Sequence, residues 1–499
     1  MITIETVLKN LRFQLTPDRE KLIRKAFEFA EKAHKGQKRK SGEEYIQHSL
    51  HTALNLARIG MRSRTITAGL LHDVPEDTQI TLKEVEKEFG KEIAFIVDGV
   101  TKLGKIKLRG TKEDLYIENL RKMFLAMAQD IRVVIIKLAD RLHNMETLEA
   151  LPDDKRERIA RETMEVFAPI ANRLGIGDMK IKLEDLSFKF LDPNGYQEVK
   201  EITEKAYSHR KKIMDQVMHT LKENLTKENI EVINVYGRTK SLYRLYQKLK
   251  AHEMDTAKVY DLIGIRIVVP NIADCYETLG LVHKYYRPLI GRIKDYISLP
   301  KPNGYQSIHT TIFGPKEKFF LEIQIRTQKM DNEAEFGIAA HWIYSEGKKK
   351  SWRDLIGFTK VNNAIIEKPD EDVLWVQQLR EWQKELNKDG DAFLEGLKIE
   401  FFKNHILAFS PKGDIIDLPE DATPIDFAYK VHSEVGNRAV GARADQKMVP
   451  LDYKIRNGEI IEIITSKEHK NPNREWLRFV RTSNARSRIK STLIKEGLL

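Results

Sequence analysis

Cysteine is almost missing from this chain: Cys275 stands alone among 499 residues. A lone thiol excludes a disulfide framework and any zinc centre built on several thiolates, and it points to a reducing compartment. Long apolar runs are missing as well. No stretch approaches the ~18 consecutive apolar residues of a membrane helix. The opening MITIETVLKNLRF also lacks the basic region and apolar run of a secretory signal. There is no internal repeat and no low-complexity tract, which removes solenoid and fibrous classes. The expectation is a soluble, cytoplasmic, globular chain with no membrane partner.

At about 150 residues per domain, the length predicts roughly three domains, each able to bury its own core. Lys and Arg number 85 against 74 Asp and Glu, a net charge of +11. A mixed solvated surface explains the abundance of charge but not its basic excess, which points to polyanionic partners: nucleotides, RNA or both.

Up to about Pro193 the pattern is helical: in DIRVVIIKLADRLHNM, Val134, Leu138, Leu142 and Met145 recur at helical spacing. This predicts an all-α domain over 1–195. A loop signal at 192–197 leads into charged helices through about Asn229, read as a coupler. The period then becomes two. LIGIRIVVP sets Ile263, Ile265, Ile267 and Val269 on one face and Gly264, Arg266 and Val268 on the other. FFLEIQIRT sets Leu321, Ile323 and Ile325 inward and Glu322, Gln324 and Arg326 outward, a polar row fit to line a site. An α+β domain, coupling helices included, is placed at 196–345. Residues 346–396 read as a helical linker in which Trp375, Leu379, Trp382 and Leu386 form a packing stripe. A small domain of short strands follows at 397–466, and 467–499 read as the start of a basic helical region.

The segment GLLHDVPEDT places His72, Asp73, Glu76 and Asp77 at the end of an apolar stretch, more ionisable groups than helix capping can use. A first-row metal that activates water needs several N and O ligands with a position left open. His48, His72, Asp73 and Asp140 offer two imidazoles and two carboxylates, a set that suits Mn²⁺ or another divalent ion, and His143 and Asn144 share the helix face of Asp140. A second concentration lies in GRIKDYISLPKPNGYQSIHTT. There Arg292, Lys294, Lys301, Tyr305 and His309 crowd around prolines and glycines, cations that can clamp phosphates and a tyrosine that can stack on a base.

The stretches EYIQHS, LLHDVPEDT and KLADRLHN, in that order, match the HD phosphohydrolase pattern. With KRKSGEEYIQHS, IVDGVTKLGK and KLADRLHNMETL they resemble the hydrolase domain of the RelA/SpoT homologue family, stringent-response enzymes that make and destroy ppGpp and pppGpp. The resemblance implies that His48, His72, Asp73 and Asp140 hold Mn²⁺ and that Glu76 and Asp77 position or deprotonate the attacking water. It further implies that Arg39, Lys40 and Ser41 contact phosphate and nucleotide, and that Asn144 and Thr147 line a guanosine pocket. Pro75 stands where many relatives carry an aliphatic residue.

GRTKSLYRLYQKL, YDLIGIRIV and the Lys-rich loop resemble the family's synthetase domain, which moves a pyrophosphoryl group from ATP to the ribose 3′-hydroxyl of GDP or GTP. By that resemblance Arg238 and Lys240 bind ATP, and Arg238 and Arg266 sandwich adenine. Asp261 and Glu322 hold Mg²⁺, with Glu322 also the base. Tyr305 stacks on guanine beside Lys301, Asn303 and His309. The basic segment at 292–295, including Lys294, is the version found in bifunctional members and implies a lean toward GDP. EAEFGIAAHW matches the motif that closes the domain, with Asp331 where many relatives carry His.

FSPKGDIIDLPEDATPIDFAYKVHSEVGNRAVGA resembles a TGS domain, a small β-grasp-like module that in this family senses the uncharged 3′ end of tRNA. His432 matches the residue facing that end, and Asn437 replaces a frequent His. Deacylated tRNA and the ribosome are the implied partners. Relatives usually continue into a Cys-rich module and an ACT domain, before which this sequence stops. The overall expectation is an all-α HD-type domain, an α+β nucleotidyltransferase-like domain and a TGS domain acting as a bifunctional synthetase and hydrolase. The alternatives are a hydrolase that keeps the synthetase fold for regulation, and a tRNA- or ribosome-binding regulator without catalysis. Intact Asp261, Glu322 and Lys294 oppose the first, and the complete His48, His72, Asp73 and Asp140 set opposes the second.

Overall fold

The computed structural model describes residues 1–104, 126, 130–239, 241–254, 263–301, 304–314, 320–337, 405–456, 458–466 and 471–497. They belong to two compact units, Met1–Gln377 and Gln378–Leu499. The 346–396 linker with its Trp375, Leu379, Trp382 and Leu386 stripe lies outside the described residues, as do Lys240, Asp261 and Asn303.

The first unit opens with helices α1 (Ile4–Lys9), α2 (Pro17–Ala33), α3 (Tyr45–Arg58), α4 (Ser63–Leu71), α5 (Val74–Asp77), α6 (Leu82–Phe89), α7 (Lys91–Gly104), α8 (Ile131–Glu146), α9 (Asp153–Glu162), α10 (Ala168–Arg173) and α11 (Gly177–Leu191). The periodic residues Val134, Leu138, Leu142 and Met145 of α8 are buried against this bundle. Asp130 starts that helix by accepting from the Arg132 N–H at 2.9 Å. Between α4 and α5 the chain breaks at His72 and Asp73, because Pro75 fits only the first turn of a new helix. The break leaves His72 buried and sets Glu76 and Asp77 on an exposed turn.

Helix α12 (Pro193–Lys227) is one helix of 35 residues where the sequence reading expected several. Asp192 caps it by accepting from the Gly195 N–H at 2.9 Å, and after Gly195 no Pro or Gly occurs to break it. It leads into a five-stranded sheet of β1 (Asn234–Thr239), β2 (Ile263–Val269), β3 (Lys294–Asp295), β4 (Ile308–Phe313) and β5 (Phe320–Thr327), ordered β1-β2-β5-β4-β3. Strands β2 and β5 run parallel, and the other pairs are antiparallel. Helices α13 (Leu242–Ala251), α14 (Ile272–Tyr285) and α15 (Gln328–Phe336) complete this part. Ile265, Ile267, Ile323 and Ile325 point into its core, as the alternation predicted, together with Cys275. The opposite, polar face is closed where Arg266 is 5%, Gln324 7% and Arg326 0% exposed, and opens at Glu322, whose side chain is 25% exposed. Helix α15 packs over β2 and β5 and supplies Asp331 and Glu335 as partners for these cations.

The helical and sheet parts meet backbone to backbone. Gly337, at φ 55°, has no room for a side chain, since a Cβ there would lie 2.1 Å from the Leu174 carbonyl oxygen. A Cβ on Gly177 would lie 2.6 Å from the Ala334 carbonyl oxygen. Beside them the Arg12 guanidinium sits 4.2 Å from the centre of the Phe336 ring.

The second unit pairs β6 (His405–Phe409) with β7 (Ile415–Pro419). A three-stranded sheet follows, in the order β10 (Ile461–Thr465), β8 (Ala439–Ala444), β9 (Lys447–Val449). Helices α16 (Pro424–Val431) and α17 (Ser433–Asn437) lie between the sheets in sequence, and α18 (Ser483–Lys495) follows them. The basic tail packs on α16. Trp476, Val480, Ala485, Ile489 and Leu493 form one core with Ile425 and Tyr429 of α16. Buried Asp426 accepts from the Arg481 and Thr482 N–H groups at 2.9 and 2.7 Å.

Candidate active sites

His48 on α3, His72 and Asp73 at the α4–α5 break and Asp140 on α8 converge. His48 Nε2 lies 3.2 Å from Asp140 Oδ1 and 3.3 Å from Asp73 Oδ2, and His72 Nε2 lies 3.1 Å from Asp73 Oδ1. Proton positions decide whether this set fits a cation. His72 Nδ1 donates to the Gly69 carbonyl at 2.7 Å and burial lowers the pKa of the ring, so Nε2 keeps a bare lone pair. It has no hydrogen-bond partner among the described residues and it faces a carboxylate. A buried acceptor facing a largely covered carboxylate in that relation is stable only with a positive charge beside it. Burial opposes ionisation of Asp73, yet His72 and His48 hold its pKa low, and Lys137 and His48 do the same against burial at Asp140. The donor set therefore fits a divalent ion that accepts mixed N and O ligands.

Around this cluster Arg39, on the loop before α3, donates to Asn144 Oδ1 at 2.5 Å, and Asn144 donates to Asp140 Oδ1 at 2.5 Å. Thr147 ends α8 with its hydroxyl on the His143 carbonyl at 3.1 Å. Lys40 and Ser41 lie exposed on the Arg39 loop, with Ser41 donating to Glu43 at 3.3 Å. Glu76 and Asp77 are exposed on α5. Tyr45, which sequence reasoning did not single out, ties Asp77 to the cluster: its hydroxyl lies 2.5 Å from Asp77 Oδ2 and 3.0 Å from Asp73 Oδ2. Lys137 Nζ on Asp140 Oδ2 at 2.6 Å was missed as well. Its signal was the Lys three residues before the ligand Asp on one helix face.

Of the second concentration, Tyr305 and His309 join a hydrogen-bonded chain along the polar face of the sheet, while Arg292 and Lys294 are exposed. Tyr305 and His309 Nε2 are 2.8 Å apart, and His309 Nδ1 is 3.3 Å from Glu322 Oε1. Gln324 donates to Glu322 Oε2 at 2.9 Å, and Arg266 Nε donates to Gln324 Oε1 at 3.2 Å. Arg266 also donates to the Tyr236 hydroxyl at 3.1 Å and pairs with Glu335. Lys301 Nζ stands 4.6 Å from the centre of the Tyr296 ring and 5.1 Å from that of Tyr305. Burial, then the neighbouring Arg244, lowers its pKa. Arg238 on β1 is brought down to about 10 by burial and by Arg266. Lys294 on β3 is paired in register with His309. A cavity of about 470 Å³ lined by Tyr236, Arg266 and Glu335 also takes Arg12 and Arg58 from the helical part.

Residues 26–177 match the family described as HD domain, 237–349 the region found in RelA / SpoT proteins, and 406–465 the TGS domain. A protein named bifunctional (p)ppGpp synthase/hydrolase SpoT, from Escherichia coli K12, is 42% identical over 99% of this chain and 68% of its own length. The chain belongs to the RelA/SpoT family. A GTP pyrophosphokinase of Myxococcus xanthus is 45% identical over 94% of this chain. So is a probable guanosine-3′,5′-bis(diphosphate) 3′-pyrophosphohydrolase of Synechocystis sp. PCC 6803. The chain spans 60% of the length of each of these two relatives.

Within this RelA/SpoT chain, two departures from the family pattern acquire structural roles. Asp331 accepts from the Tyr236 hydroxyl at 2.8 Å and pairs with buried Arg326, whose Nε is 2.9 Å from Oδ1. The two terminal nitrogens of Arg326 have no hydrogen-bond partner among the described residues, so Asp331 supplies this guanidinium's counter-charge. Asn437 accepts from the Tyr429 hydroxyl at 2.8 Å. His432 is exposed between α16 and α17, its Nδ1 accepting from the Glu434 N–H at 3.2 Å.

Proposed function

We propose that this RelA/SpoT chain hydrolyses the 3′-pyrophosphate of (p)ppGpp at the α3–α4–α8 cluster and makes (p)ppGpp from ATP and GDP or GTP on the polar sheet face. The observation that carries the hydrolase reading is the bare His72 Nε2 facing a carboxylate, an arrangement that calls for a cation. Mn²⁺ held by His48, His72, Asp73 and Asp140 would supply positive charge that favours ionised water and the developing phosphate charge. Arg39 and Lys40 bind the anionic substrate, and Asn144 and Thr147 border its base. Glu76 and Asp77 exchange protons: one takes the proton of the attacking water and the other returns one to the departing 3′-oxygen as the P–O bond breaks. Tyr45 supports Asp77 in this role by holding its carboxylate at 2.5 Å.

In synthesis Glu322 takes the proton of the ribose 3′-hydroxyl as that oxygen attacks the β-phosphorus of ATP and AMP leaves. Gln324 and His309 aim its two oxygens. Arg238, Lys240, Lys294 and Lys301 neutralise phosphate charge, and Asn303 and Tyr305 border guanine. Glu322 with Asp261 would hold Mg²⁺. The exposed His432 supports deacylated tRNA, and through it the ribosome, as partners. Salt-dependent tRNA binding that His432→Ala weakens would check this, and unchanged affinity would refute it. The reading places the enzyme in the cytoplasm. The deciding experiment incubates the chain with labelled ATP and GDP, and separately with ppGpp and Mn²⁺. The reading requires ppGpp plus AMP in the first and GDP plus pyrophosphate in the second, and failure of either product removes that activity.

A further inference from the structure

We infer that His143, which neither coordinates the cation nor touches substrate in the reading above, is a positioning residue that fixes the proton of His48 and so makes the hydrolase site able to take metal. The inference rests on that hydrolase reading. His48 points Nε2 at Asp73 and Asp140, so a cation held there requires Nε2 to be bare and the proton to sit on Nδ1. An N–H at Nδ1 needs an acceptor. Two groups stand there: His143 Nδ1 at 2.8 Å and Arg39 Nη1 at 3.1 Å. A guanidinium nitrogen only donates, which leaves His143.

Arg39 sets the proton of His143 in turn. Its Nη1 lies 3.1 Å from His143 Nδ1 and can only donate, so that nitrogen carries the lone pair and the ring's own proton sits on Nε2. Without His143, the Nδ1–H of His48 would confront a cation. The stable alternative would accept from Arg39 at Nδ1 and move the proton to Nε2, into the position the metal needs. Ligand histidines usually donate their second nitrogen to a carboxylate or carbonyl. Here a second imidazole takes that part and places no extra negative charge against Arg39.

The assignment also decides the fate of a neighbouring trio. His51, His143 and Glu146 bring ligand-type atoms within 4.8 Å of one another, resembling a second metal site. With one nitrogen accepting from His48 and the other protonated, His143 has no lone pair to give a second ion while the first is bound.

The test measures Mn²⁺ affinity of the whole chain by electron paramagnetic resonance of the free ion, for wild type, His143→Leu, His143→Asn and His72→Ala. Asn carries its amide oxygen close to the position of Nδ1 and keeps the acceptor; Leu removes it. His143→Leu should weaken Mn²⁺ binding about 10- to 100-fold, and His143→Asn should restore most of the loss. Raising Mn²⁺ should return the ppGpp hydrolysis of His143→Leu to the wild-type maximum, with synthesis by the same preparation unchanged. Wild-type affinity in folded His143→Leu would overturn the inference, as would an equal loss in His143→Asn. A wild type that binds Mn²⁺ no better than His72→Ala would overturn the hydrolase reading itself, and the inference with it.

Discussion

Replacing Asp73 by Asn tests the hydrolase site at the residue on which its geometry converges. Asp73 faces His72 through Oδ1 at 3.1 Å and His48 through Oδ2 at 3.3 Å, and Oδ2 also accepts from the Tyr45 hydroxyl at 3.0 Å. Asn preserves the shape but removes one negative charge beside the cation. Unit charges ~4 Å apart interact by ~4 kcal/mol at an effective dielectric constant of ~20, which corresponds to roughly a thousandfold in affinity. Retained carbonyl ligation and local rearrangement reduce this, so Mn²⁺ binding should weaken by about 100- to 1000-fold. At limiting Mn²⁺, ppGpp hydrolysis should fall by the same factor, while synthesis from ATP and GDP continues. The assay is product release with labelled nucleotides at several Mn²⁺ concentrations, with circular dichroism to confirm folding. Hydrolysis within a few-fold of wild type at limiting metal would refute the ligand assignment, and loss of synthesis in the folded variant would refute the separation of the two sites.

Glu322→Gln keeps the hydrogen-bonding shape beside Gln324 and His309 but removes the base, so synthesis should drop by at least ~100-fold with hydrolysis intact; a variant that still makes ppGpp at the wild-type rate argues against Glu322 as base. Burial depresses the pKa of His48, but Asp140 and Asp73 overcome it and the pKa is raised. A proton therefore competes with the cation at and somewhat above the ordinary imidazole pKa of ~6.5. Mn²⁺ affinity should rise as pH climbs through that window and fall below it, and pH-independent binding would contradict the assignment. Gly337→Ala forces a Cβ within 2.1 Å of the Leu174 carbonyl oxygen at a positive φ, and should destabilise the chain by about 1–3 kcal/mol. A thermal melt indistinguishable from wild type would mean that the two parts do not press together at that point.

The convergence of His48, His72, Asp73 and Asp140 was legible because its information is local. Each of His48, His72, Asp73 and Asp140 stands in a helical stretch or at its end, and the order of the stretches fixes the bundle that brings them together. What could not be read was which residues close the gaps between helices. Tyr45 reaches Asp73 and Asp77 from 28 and 32 positions away, and Arg39 reaches Asn144 across 105. Those distances carry no periodic signal. The sheet was legible by alternation on its core face, where Ile265, Ile267, Ile323 and Ile325 recur. On its other face, alternation marks Arg266, Gln324 and Arg326 as a polar row fit to line a site, and says nothing of what covers it. They are buried because α15 brings Asp331 and Glu335 over them. A buried cation that is paired looks in sequence like an exposed one that is not.

That pairing bears on the proposed synthetase face. Arg266 uses its edge for Tyr236, Gln324 and Glu335. These contacts fix the guanidinium, which is 5% exposed and also lies over the Tyr236 ring, 5.6 Å from its centre. The same network continues into α15. Glu335 and Asp331 belong to α15, whose last residue Phe336 carries the Arg12 guanidinium and whose following Gly337 lies against Leu174 and Gly175 of the helical part. From that junction a continuous series of direct contacts runs through Glu335, Arg266 and Gln324 to Glu322. The long helix α12 was expected to join the two activities because it joins their domains in sequence. Helix α15 also joins the two parts directly, because it meets the helical part at Gly337 and holds Arg266 through Glu335.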